Sequence, residues 1–331
     1  KIMKATIFVL GSNSFSGSNY INLLLEKKYR VIGISRGKEI NHVYLKYKTN
    51  KNLKLFKFYK LDLNKNLNKI IKLIKKTKPK TIVNFIAQGM VAESWKDPQD
   101  WYQTNIVSQV KFYNSLLKLK FIKKMIHVTT PEVFGSNNKK IKENTNFNPN
   151  TPYAISRATL DIHLKKYQEN FKLPVIFTRT SNVYGPYQQL YRIIPKTIMC
   201  KKKNIKLHLH GGGKSLRSFI FIDDSSKATL KIMNKGKIGE TYHISTNEFL
   251  TINTLVVKLS KLLKSKYKNL VKITKDRIGK DHSYKLDSNK LRKLKWQDHV
   301  NLDSGLKLTL DWIEKNFQIL KSHNLNYKHK K

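Results

Sequence analysis

The chain has 331 residues, 40% of them hydrophobic, which suffices for one large domain or a domain with a smaller lobe. Its single cysteine, Cys200, excludes an intramolecular disulfide and fits a reducing, cytoplasmic setting, and no apolar run approaches the ~20 residues needed to cross a bilayer, so no membrane partner is expected. The formal charge of +45 comes from lysines dispersed along the whole length, as in Lys75-Lys76-Thr77-Lys78-Pro79-Lys80 and Lys201-Lys202-Lys203; this reads as compositional bias on solvated surface rather than a nucleic-acid site, which concentrates charge on one face.

Residues 1–10 mimic a signal start but run straight into a glycine turn, so Ala5 to Leu10 reads as a buried first strand. Phe15 to Glu26 carries Phe15, Tyr20, Ile21 and Leu24 at helical spacing. Arg30 to Ile34 is a second strand and Leu55 to Tyr59 a third, ending in Leu61-Asp62-Leu63. A lysine-rich helix follows with Leu67, Ile70, Ile71 and Ile74 on one face. Thr81 to Ile86 is the next strand, Trp101 to Leu119 a helix, and Lys124 to Thr129 a strand. Pro152 to Phe171 is a helix and Pro174 to Arg179 a strand. This alternation predicts an α/β fold, a doubly wound (Rossmann) parallel sheet over residues 1–180. Beyond Arg179 the pattern loosens. Gly211-Gly212-Gly213 marks a turn, and Leu255 to Leu263 and Ser304 to Phe317 read as helices. Residues 181–321 are expected to form a smaller C-terminal substrate-binding lobe that lends segments back to the sheet. Residues 322–331 are polar and basic and read as a disordered tail.

Strand one runs into Gly11-Ser12-Asn13-Ser14-Phe15-Ser16-Gly17 and then a helix. Glycines let such a turn curl tightly and bring backbone N–H groups and a helix N-terminus to a pyrophosphate. Placed at the first strand–helix junction, the turn with Gly11, Ser14, Phe15, Ser16 and Gly17 predicts a dinucleotide site. Ser14 stands at the middle glycine, where its side chain is expected to alter the loop slightly. The end of strand two decides the cofactor form. Gly33-Ile34-Ser35-Arg36-Gly37-Lys38 holds no acid for a ribose 2′-hydroxyl, and Arg36 beside Ser35 suits a 2′-phosphate. NADP is therefore expected, with NAD as the alternative. Asp62, with Leu63 beside it, stands where it could meet the adenine amine; its plainer reading is a turn-forming aspartate. No metal site is expected.

Two later segments carry the densest chemistry: Thr129-Thr130-Pro131-Glu132-Val133-Phe134-Gly135 and Pro152-Tyr153-Ala154-Ile155-Ser156-Arg157-Ala158. They offer the hydroxyl of Thr130, the carboxylate of Glu132, the phenol of Tyr153 and the guanidinium of Arg157. That set can oxidise a sugar alcohol through Tyr153 and strip an acidified proton with Glu132. Tyr153 and Arg157 are four apart on one helix and share a face, so the cation is expected to lower the Tyr153 pKa toward use as a base. The plainer rivals are a capped turn for Thr-Pro-Glu and packing for Pro-Tyr.

These pieces in this order resemble the extended short-chain dehydrogenase/reductase family and, within it, the nucleotide-sugar 4,6-dehydratases acting on GDP-mannose or dTDP-glucose. The likeness runs from Gly11 to about Trp312. Asn84-Phe85-Ile86-Ala87-Gln88 is similar to the segment lining the cofactor groove, which implies Ala87 and Gln88 as cofactor residues. Thr129 to Gly135 resembles the dehydratase signature, and Tyr153 and Arg157 occupy the family's Tyr-x-x-x-Lys. Asn182-Val183-Tyr184-Gly185-Pro186 is similar to its turn at the nucleotide-sugar cleft. Arg217 to Asp224 and Arg277 to Asp281 resemble its diphosphate-binding segments, and Leu294-Lys295-Trp296 its Leu-Gly-Trp. Six of the chain's eight arginines (Arg36, Arg157, Arg179, Arg192, Arg217 and Arg277) fall in or beside these motifs.

The resemblance implies that Tyr153, assisted by Thr130, takes the C4 hydroxyl proton while a hydride passes to a tightly bound, recycled cofactor. Glu132 then removes the C5 proton, water leaves from C6, and the hydride returns to C6. Asn182, Gln188, Tyr191, Arg192, Arg217 and Arg277 are expected to bind the nucleotide sugar. Two departures stand out. Arg157 replaces the family lysine and stays protonated, so it cannot shuttle protons. Pro131 fills a position that is Asp in some dehydratases, which passes protonation of the leaving hydroxyl to Glu132, Thr130 or water. GDP-mannose dehydratases also lack that Asp, and Ala87-Gln88 resembles theirs, so the expectation inclines to a GDP-linked hexose. The resemblance further implies a homodimer through the helices at 101–119 and 152–171. The rivals are a 4-epimerase, a UDP-glucuronate decarboxylase, and an inactive cofactor-bound protein holding nucleic acid through its charge.

Overall fold

The computed structural model describes residues 4–276, 279 and 281–329. Seven strands build one sheet: β1 (Lys4–Leu10), β2 (Tyr29–Ser35), β3 (Phe56–Lys60), β4 (Thr81–Asn84), β5 (Lys124–Thr129), β6 (Val175–Thr180) and β7 (Thr241–Ile244). Their order is β7-β6-β5-β4-β1-β2-β3, and every pairing is parallel. Both faces of such a sheet are covered, so its inner strands are largely apolar, whereas the edge strand β3 keeps Lys57 and Lys60 exposed. Ile7 and Val9 pack with Tyr20, Ile21 and Leu24 on one face, and Phe8 and Leu10 with Ile70, Phe112 and Leu160 on the other. Strand order reverses between β1 and β4, which opens a crevice at the carboxyl ends of those strands. Strand β4 stops two residues short of the expected Ile86, because the Asn84 side chain turns back to accept from the Ile86 N–H at 2.9 Å.

The longer helices are α1 (Phe15–Glu26), α2 (Leu67–Thr77), α3 (Ser108–Leu116), α4 (Pro152–Phe171), α5 (Ile193–Lys202), α6 (Ile222–Lys235), α7 (Ile252–Leu262) and α8 (Leu302–Lys315). The helix expected over 101–119 begins earlier, at Pro98, and passes through a π turn at Gln103–Val107 before α3. Helix α4 starts where Thr151 caps it, accepting from the Ala154 N–H at 3.2 Å, with Pro152 in the first turn.

Past β6 the chain forms short paired strands. Asn182–Tyr184 runs parallel to Phe219–Phe221, and Leu207–His210 parallel to Val271–Thr274. A separate core including Tyr184, Ile194, Ile198, Phe219, Leu255 and Leu306 lies among them. Strand β7 returns from this region to the sheet edge beside β6. Residues 322–329 do not lie free of the fold, as their mean polarity implies. Leu325 is buried in the lobe core, and Tyr327 and His329 reach other side chains across the crevice. No helix among the described residues is long and apolar enough to cross a membrane.

Candidate active site

A cleft of about 710 Å³ runs from the glycine turn, past the ends of β4 and β5, into the lobe. At the turn, Gly11 holds φ +82°, and a Cβ there would meet the Phe85 carbonyl carbon at 3.0 Å. A Cβ on Gly17 would lie 2.3 Å from the Gly11 oxygen. Both positions therefore require glycine. Ser14 has a clear use at the middle position. Its Oγ donates to the Gly11 carbonyl at 2.7 Å and accepts from the Gly17 N–H at 3.0 Å, capping α1. The Ser35 hydroxyl accepts from the Asn13 N–H at 3.0 Å and so ties the turn to β2. Asn13 Oδ1 is buried without a partner. Turn, cap and unspent polar atom fit a dinucleotide of the NAD(P) type.

Thr130 follows β5 and caps the short turn Pro131–Phe134 that carries Glu132. Tyr153 sits in the first turn of α4, and its backbone N–H donates to Ser94 Oγ at 3.1 Å. Glu132 and Tyr153 line the same cleft. Burial pushes the Glu132 carboxyl above the usual range, and the Asp281 charge adds to this, while Arg217 and Arg192 oppose it. Burial also raises the Tyr153 phenol, helped by the charge of Glu132; Arg157 and a hydrogen bond with Thr130 pull the other way. The expected net lowering of Tyr153 by its cation is thus corrected, because desolvation outweighs the attraction.

Arg157 is 1% exposed. Its guanidinium donates to the Val128 carbonyl and, at 3.5 Å, to the Ile86 carbonyl, bridging the ends of β5 and β4. Beneath it Asp161 accepts from Thr129 Oγ1 at 3.0 Å and from Arg179 Nη2 at 2.8 Å. The Arg157 charge therefore works inside a buried ionic group. His127 belongs to that group and is held neutral, its pKa well below the ordinary value through burial and the two arginines.

On the lobe side Asn182, Gln188, Tyr191, Arg192 and Arg217 all line the cleft. Gln188 donates to the Val183 carbonyl at 2.8 Å and leaves its own Oε1 buried and unpaired. The Arg217 fork reaches the Leu216 and Asp281 carbonyls, both at 2.7 Å, over the Tyr284 ring. Arg36 and Gln88 meet at 3.3 Å at the cofactor end, where Ala87, Phe15 and Ser16 also face the cleft.

Asp62 and Leu63 lie outside the lining of this cleft: Asp62 Oδ1 accepts from the Asn64 N–H at 2.8 Å, and Leu63 is buried in the sheet core. The expected role of Arg277 lies outside the described residues. Three contributors were given no role of their own in the sequence. Tyr284 donates to Asn182 Oδ1 at 2.9 Å and reaches Glu132 Oε1 at 3.5 Å. Asp281 lines the cleft, held by Asn150 at 2.9 Å. Asn105, at the π turn, clasps the backbone of Gln88 at 2.7 and 3.0 Å and donates to Ser156 Oγ at 3.0 Å. Asp281 ends a segment already marked by its motif and Tyr284 follows it closely, whereas a π turn has no sequence signal.

A doubly wound sheet, a glycine turn at its switch point and a Tyr–Arg pair on the next cleft helix define a dinucleotide-dependent enzyme of the extended short-chain dehydrogenase/reductase type. Residues 8–309 match the family described as GDP-mannose 4,6 dehydratase, and the chain belongs to that family of nucleotide-sugar hydro-lyases. Human dTDP-D-glucose 4,6-dehydratase is 32% identical over 319 residues, spanning 94% of this chain and 90% of the relative. The Haemophilus influenzae dTDP-glucose 4,6-dehydratase is 28% identical, spanning 92% of this chain and 97% of the relative. Among solved structures, DesIV dTDP-glucose 4,6-dehydratase from Streptomyces venezuelae, with NAD bound, superposes with a TM-score of 0.88 at 26% identity, covering 95% of this chain and 98% of that one. A Thermotoga maritima UDP-glucose 4-epimerase gives 0.84 at 26% identity, covering 94% and 99%.

Proposed function

We propose that this protein converts a nucleotide hexose into its 4-keto-6-deoxy form, with residues 1–180 holding the cofactor and 181–321 the nucleotide sugar. The observation that carries the reading is Glu132 and Tyr153 facing one cleft, close enough that the charge of one shifts the titration of the other. A nicotinamide cofactor held at the glycine turn would supply a reversible acceptor for the C4 hydride. Tyr153 takes the C4 hydroxyl proton, with Thr130 hydrogen-bonded to it. The C4 ketone acidifies the C5 proton, which passes to Glu132. With Pro131 in place of an acid, Glu132 hands that proton to the C6 hydroxyl, which leaves as water. A carboxyl whose pKa burial raises is suited to holding a proton between these two events.

The finer assignments are part of the same proposal. NADP is favoured by Arg36 and by the lack of an acid in Gly33–Lys38, although the DesIV structure and a Bacillus anthracis neighbour hold NAD. Arg36→Asp is expected to shift preference toward NAD, and an unchanged preference removes Arg36 from the site. A GDP-linked hexose rests on Pro131 and Ala87-Gln88, whereas the named relatives act on dTDP-glucose. A homodimer through α3 and α4 is supported by exposed Val107, Ile155, Ile162 and Phe171. The deciding experiment incubates the protein with dTDP-glucose, UDP-glucose, GDP-mannose and UDP-glucuronate in heavy water. A product one water lighter with deuterium at C5 is expected. An isomer of unchanged mass overturns the reading in favour of an epimerase, and release of carbon dioxide in favour of a decarboxylase.

A further inference from the structure

Residues 323–329 alternate strictly. His323, Leu325, Tyr327 and His329 turn inward, while Asn324, Asn326 and Lys328 are exposed. A period of two is that of an extended chain with one face against a surface. Each inward residue has a defined seat. His323 meets Tyr44, its Nδ1 2.7 Å from the phenol oxygen. Leu325 is buried in the lobe core. Tyr327 packs edge-on against Tyr191 with ring centroids 5.3 Å apart. His329 stacks on Trp101 at 4.8 Å and 16°. The segment is thus anchored in the lobe at Leu325 and Tyr191, and at Trp101 beside the sheet.

Between those anchors it meets Gln88. The Gln88 amide nitrogen donates to the Tyr327 hydroxyl at 2.8 Å and to His329 Nδ1 at 3.1 Å, while its oxygen accepts from Arg36 at 3.3 Å. His329 Nε2 lies 2.6 Å from Asp100 Oδ2. With Nδ1 facing the Gln88 amide and Nε2 facing the Asp100 carboxylate, the orientation of the ring is fixed from both sides. Gln88 therefore spends both amide protons on this segment, which fixes the side chain that steadies Arg36. Tyr327 itself lines the cleft.

We propose that residues 323–329 form a strap over the dinucleotide end of the cleft, with Tyr327 and His329 as positioning residues that hold Gln88 and Arg36 toward the cofactor and slow its exchange. This rests on the reading of the cleft as an NAD(P) site. It suits an enzyme that recycles its cofactor, because each hydride taken must be returned before the cofactor departs.

The test loads the full chain with NADPH, and separately with NADH, and follows fluorescence loss on a chase with excess oxidised cofactor. Tyr327→Ala/His329→Ala is expected to release the reduced cofactor about tenfold faster, from the loss of two hydrogen bonds and a stack. Tyr327→Phe keeps the packing on Tyr191 and is expected to fall between. A chain ending at Ser322 checks the double variant, with circular dichroism showing that the fold is retained. An unchanged release rate in folded variants overturns the strap. Faster association with tighter binding also overturns it, since the segment would then be a plug. Failure of the unaltered protein to bind either cofactor instead overturns the reading of the cleft.

Discussion

The two walls of the cleft are built differently. One consists of strand ends and the first turns of α4, where Thr130 and Arg157 are 5% and 1% exposed above the Asp161–Arg179 pair. The other consists of two-stranded fragments and loops, where Tyr191 is half-buried and Arg192 exposed. A side chain locked by burial and several partners holds reacting groups within a fraction of an ångström, whereas an exposed arginine can follow ligands of different shape. Changes on the first wall should therefore appear in kcat, and changes on the second in KM.

The largest expected effect is on the first wall. Glu132→Gln keeps the shape of the side chain and removes its capacity as a base. Water loss should fall about 10³-fold, within the range of general acid–base catalysis, while the first half-reaction continues. Single-turnover absorbance of the reduced cofactor, set against product mass, separates the two steps. An equal loss of both would remove Glu132 from its assigned step and erase the contrast between the walls.

A smaller effect tests the second wall. Arg192→Ala should raise KM about tenfold and leave kcat within about threefold, as expected for loss of one charged hydrogen bond to a diphosphate. It should also move the pH profile. Glu132 must be ionised to accept a proton, so the rate falls as pH drops through its raised pKa. Arg192 opposes that rise, so its removal should carry the acid limb to still higher pH. A kcat collapse with KM unchanged would instead place Arg192 with the reacting atoms.

The sheet was legible because most of its strands are short apolar runs and the helices between them repeat at their own period. The glycine turn was legible because Gly11 and Gly17 meet steric demands no other residue satisfies. Thr130, Glu132 and Tyr153 were legible as a motif, and the cleft does gather them. The sign of the Tyr153 shift was not, because burial is a property of the whole fold and a neighbouring cation is only one part of it. Asp62 shows the ambiguity of a single residue, because a turn aspartate and an adenine-binding aspartate occupy the same place after a strand. Residues 322–329 were hidden by their average polarity, although the alternation of His323, Leu325, Tyr327 and His329 was there to be read.

The smallest expected effect concerns the residue that sets this first wall apart from its family. Arg157 bridges the Ile86 and Val128 carbonyls with the two terminal nitrogens of its planar fork, a span that the single compact ammonium of lysine does not reproduce. Arg157→Lys should therefore lower stability by ~1 kcal/mol, the scale of one lost hydrogen bond, as read by denaturant midpoint. It keeps the charge that favours the Tyr153 phenolate, so turnover should stay within about threefold. Arg157→Met keeps most of the stem and drops the charge. The Tyr153 phenol then rises further, and its rate limb should move to higher pH. If the lysine variant behaves like the methionine one, the guanidinium fork, rather than its charge, is what the wall requires.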